Sequence, residues 1–194
     1  MDAKIYTKEH FVTSRWAGGT TTQLAIAPAG AIYAERDFLW RLSSAQVAQE
    51  YSVFTKLPDY NRLLGIIDGT LYLQTDTEPF FPLPAGQVWA FDGGENVMSQ
   101  GLCRDFNLML RKDACRGELH CLRLGGEAAL PLAQPQQYSL RGVYCAEGLA
   151  EINGTPLDAQ ALWLIADAEP LHAKGAGLLF WFQVEGPDRA ILQF

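Results

Sequence analysis

Short runs of apolar and β-branched residues, each cut off by Gly, Pro or Asp, recur from Phe38 to the end of the chain, and helical periodicity is hard to find. That rhythm predicts strands. The runs that read as strands are Thr21–Ile26, Leu39–Val47, Leu63–Ile67, Thr70–Gln74, Gln87–Phe91, Phe106–Arg111, Val143–Ala146, Leu149–Ile152, Ala161–Ile165 and Leu178–Val184. Asn153-Gly154 lies between Ile152 and Leu157, and both residues tolerate the positive φ of a primed turn, so a tight hairpin is expected there. Asp68-Gly69 and Glu147-Gly148 read the same way. Many short strands with few helices are accommodated by closure, which removes exposed strand edges, so the expected fold class is all-β and built from barrels.

Alternation within two of the runs sorts side chains by face, because a strand sends successive residues to opposite sides. Asp105, Asn107, Met109 and Arg111 share one face, while Phe106, Leu108 and Leu110 share the other. Likewise Leu39, Arg41, Ser43 and Ala45 oppose Trp40, Leu42 and Ser44. A polar row of this kind is either the solvent side of a sheet or, in a barrel, the lining of a cavity that must bind water, a ligand or another side chain. Pro58-Asp59-Tyr60-Asn61-Arg62 puts an Arg directly before the apolar run Leu63–Ile67, where a residue at a barrel mouth would sit. Its planar fork of donors suits a carboxylate or formyl oxygen, although a surface ion pair is the plainer use. Trp16, in Arg15-Trp16-Ala17-Gly18-Gly19-Thr20, would lid such a pocket or plug the barrel end.

Leu83-Pro84-Ala85-Gly86-Gln87-Val88-Trp89 can be laid on Leu157-Asp158-Ala159-Gln160-Ala161-Leu162-Trp163, with Leu, Ala and Trp coinciding at one constant offset. Duplication would make two similar barrels; chance among strand-type residues is the alternative. The stretch 116–137, with Gly125-Gly126, Pro131 and Pro135, is the expected connection. It divides the chain into 1–115 and 116–194, which are expected to pack as one compact unit with short helical or turn segments.

Composition narrows the function classes. The 194 residues are 48% hydrophobic and 19% charged, a globular balance. A formal charge of −7 repels polyphosphate, which argues against nucleic acid and anionic membrane as partners. No run approaches the ~18 apolar residues of a membrane span, and Met1-Asp2-Ala3-Lys4 lacks the opening of a signal peptide, so a cytoplasmic location is expected. Cys103, Cys115, Cys121 and Cys145 form no Cys-x-x-Cys pair and read as structural thiols. His10, His120 and His172 are too few and too scattered for the clustered imidazoles of an iron, manganese or zinc site, so no metal and no cofactor is expected. Neither a nucleophile elbow nor a phosphate-cradling Gly-rich loop is present. Asp37, Glu95, Asp105 and Glu151 offer carboxylates, but nothing in their spacing pairs two of them for acid/base work.

Several of these segments, in this order, carry a family pattern. Arg15-Trp16-Ala17-Gly18-Gly19-Thr20, Pro28, Asp37-Phe38-Leu39-Trp40-Arg41-Leu42-Ser43-Ser44-Ala45, Tyr51-Ser52-Val53-Phe54, Pro58-Asp59-Tyr60-Asn61-Arg62, Asp68-Gly69 and Asp105-Phe106-Asn107-Leu108-Met109 resemble the HutD/Ves family. The landmarks run over residues 15–111, and residues 112–194 match in length and strand rhythm only. Departures are Asp59, where Gly commonly follows Pro, and Glu50, where Gly often precedes the aromatic–Ser element. The resemblance implies a bicupin, two packed cupin-like barrels without metal-binding histidines. It also implies a role tied to histidine utilisation or stress induction and the binding of a pathway metabolite, with formylated glutamate or urocanate as candidates. Carried over by motif, Arg41, Ser43, Tyr60, Arg62, Asp105 and Asn107 are the expected ligand-binding residues, with no catalytic residue assigned.

The reading is therefore a binding protein for a small polar metabolite, with a homodimer considered as its assembly. The alternative is a metal-independent isomerase or hydrolase acting on a sugar or amino-acid derivative, since one barrel type hosts many chemistries. A protein–protein adaptor would instead show a large exposed apolar patch.

Overall fold

The structure, a computed structural model, describes residues 3–131, 138–166 and 169–194, with Tyr138 described for its backbone alone. The chain opens with β1 (Lys4–Tyr6). Nine strands follow: β2 (Val12–Trp16), β3 (Gly19–Ala27), β4 (Trp40–Val47), β5 (Tyr51–Val53), β6 (Tyr60–Gln74), β7 (Phe81–Pro84), β8 (Val88–Asp92), β9 (Met98–Gln100) and β10 (Cys103–Arg111). The remainder comprises β11 (Arg116–Leu130), β12 (Tyr138–Ile152), β13 (Thr155–Asp158), β14 (Ala161–Ile165) and β15 (Leu171–Gly186). Among the described residues, helix is confined to the 3-10 turns Lys8–His10, Tyr33–Glu35 and Arg189–Leu192. Every run expected to be a strand falls within one of these strands, to within a residue at its ends.

One sheet has the order β2-β3-β4-β10-β6-β9-β5, with β7 and β8 also paired to β6; the other runs β1-β14-β12-β15-β11, with β13 on β12. β1 pairs antiparallel with β14, so the first residues of the chain belong to the second sheet. The sheets pack face to face through the apolar side of the alternating runs. Phe106 of β10 stacks on Tyr144 of β12 at 5.1 Å and on Phe180 of β15 at 5.3 Å. Trp40, Leu42, Leu108 and Leu110 meet Leu140, Leu162, Leu164 and Phe182 in the same cluster. Burying each such side chain is worth about 1.5–3 kcal/mol, which makes this seam the main adhesive between the two halves. The Trp40 indole donates to Ile191 O at 2.8 Å and ties the C-terminal turn to the seam.

Three turn or loop expectations are corrected. Asp68-Gly69 is no hairpin: β6 continues through it, exchanging β8 on one half for β7 and β9 on the other. Gly69 has φ 84°, and the β10–β6 register slips between Arg104 and Asp105, which marks a bulge. Glu147-Gly148 does the same in β12, with Gly148 at φ 83° and a register slip between Cys145 and Glu147. A bulge and a primed turn both require positive φ, so the Gly signal is real while the chain reversal is not. Asn153-Gly154 does reverse the chain, at φ 46° and 81°, between Ile152 and its partner Thr155. In the stretch 116–137, residues Arg116–Leu130 are a strand paired along its whole length with β15, and residues 132–137 lie outside the described residues. There Gly125 and Gly126 face Ala176 and Gly175, so the glycines lie in a ladder of small residues.

The seven-residue correspondence falls on equivalent strands. β7 and β8 pair with β6 as β13 and β14 pair with β12, and Trp89 opposite Leu64 matches Trp163 opposite Val143. The same constant offset relates Asn107 of β10 to Trp181 of β15 and Met109 to Gln183.

Candidate functional site

Register places the functional side chains. On β10, Asn107 lies opposite Ser43 of β4, while Met109 has Arg41 on one side and Arg62 of β6 on the other. Cross-strand partners share a face, so Arg41, Ser43, Arg62, Asp105 and Asn107 all point away from the inter-sheet seam, into the first barrel. They line a cavity of about 340 Å³, small for a ligand site. Ser14 and Trp16 of edge strand β2, and Ser52 and Val53 of edge strand β5, line it too, so the nine-stranded sheet curls until its two free edges flank the opening. Trp16 is 41% exposed, and its indole donates to Thr21 Oγ1 at 3.1 Å, holding the ring at the mouth.

All five polar residues are buried. Arg41 is held by Nε to Gln23 Oε1 at 2.8 Å and by Nη1 to Ser43 Oγ at 3.1 Å, with its guanidinium 4.3 Å from the Tyr33 ring centre. Burial lowers its pKa to about 10. Arg62 lies over Phe54 and Phe91, at 5.1 and 5.0 Å from the two ring centres. Its Nε is buried without a hydrogen-bond partner, and burial lowers its pKa as well. Ala45 N–H donates to Asp105 Oδ1 at 2.9 Å. Burial dominates that carboxyl and pushes it up to about 6, against the Ala45 bond and the two arginines, which pull it down. Among the described residues no ion pair joins Asp105 to either arginine. Asn107 Oδ1 is also buried without a partner.

Tyr60, expected in the pocket, does not line it. Its hydroxyl lies 2.9 Å from both Arg36 O and Phe38 O and accepts from Arg111 Nη2 at 3.1 Å, and its ring stacks on Phe38 at 4.3 Å. Arg111, assigned to the polar face of β10, is drawn into the same knot through Phe38 O and Arg36 O. Tyr33 and Phe54, which sequence reasoning missed, enter the cavity from segments between strands, where no periodicity announces them. Phe54 closes the quoted Tyr51-Ser52-Val53-Phe54 motif, which was its one signal. Among the described residues Asp105 supplies the only carboxylate of the cavity lining, while Asp37, Glu95 and Glu151 are exposed elsewhere.

The histidines lie apart. His10 accepts from Thr7 N–H at 3.1 Å on an exposed turn, His120 stacks on Trp181 at 5.1 Å, and His172 is exposed on β15. Among the described residues no group of three or more His, Cys, Asp or Glu is placed to hold a metal ion. The four cysteines are unpaired, and burial raises the thiols of Cys115, Cys121 and Cys145 to about 12, 11 and 11. No helix among the described residues is long and apolar enough to cross a membrane. The second barrel fills the places matching Asp105 and Asn107 with Leu179 and Trp181.

Two such barrels, packed back to back with a cavity in the first, define the bicupin class. The chain belongs to the HutD family, whose profile matches residues 8–181. It is similar to HutD from Pseudomonas fluorescens SBW25 (formate condition), at 21% identity and TM-score 0.79, covering 96% of this chain and 100% of that one. A conserved protein of unknown function from Pseudomonas aeruginosa PAO1, PA5104, is similar at 24% identity and TM-score 0.76, covering 97% and 100%. The fold extends to the bacterial pirin YhhW from Escherichia coli in complex with nickel(II), at 11% identity and TM-score 0.65, covering 96% and 100%.

Proposed function

We propose that this chain is a binding protein for a small carboxylate or formyl-bearing metabolite, held in the cavity of the first barrel, with a regulatory part in histidine utilisation or stress response in the cytoplasm. One observation carries the reading. Among the described residues, two buried guanidiniums share the cavity with a single carboxylate, no ion pair closes between them, and Arg62 Nε has no partner. Buried charge and buried donors are costly unless paired, so the cavity is complementary to an anion with acceptor oxygens. Phe54 and Tyr33, which line the cavity beside the guanidiniums, offer apolar surface to a short carbon body. Formylated glutamate meets those demands, and urocanate does so through its carboxylate.

The test is a thermal-shift screen of small carboxylates, formyl amino acids and imidazole metabolites. A ligand that binds the folded state alone stabilises it by about 2.7 kcal/mol at a hundredfold excess over its dissociation constant. A screen in which none of them moves the melting temperature overturns the reading. A metal-independent hydrolase or isomerase is the second reading, favoured by Asp105, whose carboxyl titrates at about 6, near the pH at which a general base works best. Turnover of a histidine-pathway intermediate by chelator-treated protein, lost in Asp105→Asn, would establish it; its absence leaves binding alone.

A further inference from the structure

We propose that the carboxyl of Asp105 takes up a proton from solvent when a small carboxylate enters the cavity, and that the O–H so formed donates to the bound anion. This deepens the function proposed above and rests on it.

Geometry supplies the first part of the argument. Asp105 sits mid-strand on β10, buried, with one hydrogen bond from Ala45 N–H and no guanidinium in ion-pair range among the described residues. The charged groups acting on it are Arg41 from β4 and Arg62 from β6; Cys103 lies on its own strand, and Tyr33 and Arg36, from the turn over the cavity, act on the two arginines. Arg41 is held on Gln23 and Ser43, and Arg62 lies over two aromatic faces with its Nε unpartnered and faces the ligand rather than Asp105.

A ligand carboxylate in a cavity of about 340 Å³ must come close to Asp105. Two carboxylates brought together in a poorly solvated space raise each other's pKa. With Arg41 held by Gln23 and Ser43 and Arg62 turned to the ligand, Asp105 has no counter-ion in contact among the described residues, so a proton shared between the two carboxylates relieves the repulsion. Asp105 is the natural holder, because the incoming anion has Arg62 to satisfy it and Asp105 has only Ala45. A protonated Asp105 also becomes a donor, converting a repulsion into a charge-assisted hydrogen bond. Burial has already brought this carboxyl to about 6, so a modest further push carries it past neutrality.

N-formylglutamate is the probe, its own carboxylates being ionised throughout the range used. Calorimetric titrations near pH 7, in buffers of different ionisation enthalpy, are expected to show net uptake of a fraction of a proton up to one per ligand. Affinity is expected to weaken by roughly tenfold or more between about pH 6 and pH 8. Asp105→Asn keeps the Ala45 bond and offers an N–H donor, so it should bind with little pH dependence and no proton uptake. Infrared difference spectra of the unaltered protein, with and without ligand, should show a protonated-carboxyl band growing on binding, which needs no variant to fold. Binding without proton uptake, or a pH dependence that survives in Asp105→Asn, overturns this inference and leaves the binding function standing. An absence of binding at every pH overturns both.

Discussion

Asn107 and Trp181 occupy the same place in the two barrels. Asn107 lies on β10 between Ser43 and Leu64, and Trp181 lies on β15 between His120 and Val143. In the first barrel the position is polar, with a buried oxygen that has no partner. In the second, the indole stacks on His120 and donates to Pro131 O at 3.2 Å, filling the interior. Asp105 and Leu179 differ in the same sense, one facing Ile66 and the other Cys145. One barrel thus spends its interior on packing and the other on a cavity. Such a division lets stability and binding be altered separately.

Trp181→Ala is expected to destabilise the protein by about 3–5 kcal/mol, the usual cost of emptying a buried aromatic site. Affinity for a carboxylate ligand should stay within a factor of about two, because the cavity lies in the other barrel. Urea denaturation and a binding titration on the same variant check both halves. A loss of affinity equal to the loss of stability would show that the barrels are not independent.

Arg62→Ala should weaken binding of a carboxylate by roughly ten- to a hundredfold, since a charge-assisted hydrogen bond contributes about 1.5–3 kcal/mol. Stability should change far less, because among the described residues Arg62 makes no ion pair and its Nε has no partner to orphan. Arg62→Lys keeps the charge and loses the fork, so it should recover part of the affinity. Intact affinity with a steeply lowered melting temperature would make Arg62 a packing residue of the two phenylalanines instead.

The period-two pattern carried most of what could be read in advance. Asp105 and Asn107 alternate with Phe106 and Leu108, and Arg41 and Ser43 with Leu42, so the cavity face and the seam face were separable before any coordinates. Arg62 was legible because a turn and an apolar run fix it from both sides. Tyr60 was misplaced for a related reason: it shares strand parity with Arg62, but at the strand end its ring turns onto Phe38 and its hydroxyl finds backbone carbonyls. Parity cannot see that turn. Asp68-Gly69 and Glu147-Gly148 misled because a bulge and a hairpin share one backbone requirement. The stretch 116–137 reads as a connection because of Gly125-Gly126, Pro131 and Pro135, and what makes Arg116–Leu130 a strand is the long partner Leu171–Gly186, distant in sequence.

Tyr60→Phe follows from that correction. Its hydroxyl accepts from the buried Phe38 N–H and from the Arg111 guanidinium, so removing it leaves that N–H without its acceptor, while Arg111 still donates to the Arg36 and Phe38 carbonyls, and should cost about 1–3 kcal/mol. Carboxylate affinity should fall by less than about threefold. Chemical denaturation beside a binding titration separates the two. A large affinity loss at unchanged stability would return Tyr60 to the binding residues.

Stability should depend on pH through Asp105, and the sign follows from its environment. Its folded carboxyl titrates at about 6, above the value of about 3.9 for an unfolded Asp. The folded state therefore binds the extra proton between those values. The favourable contribution is fully present below about pH 4 and is lost as pH rises through about 6. The difference between the protein and Asp105→Asn isolates this group from every other ionisable residue. Between about pH 5 and pH 7.5, linkage gives Asp105→Asn a relative gain of about 1–1.5 kcal/mol, measurable by urea denaturation at a series of pH values. A flat difference would mean that the cavity hydrates Asp105 well enough to keep its carboxyl at an ordinary value. An inverted difference, with the variant losing ground as pH rises, would mean that Arg41 or Arg62 closes on the ionised carboxylate in solution.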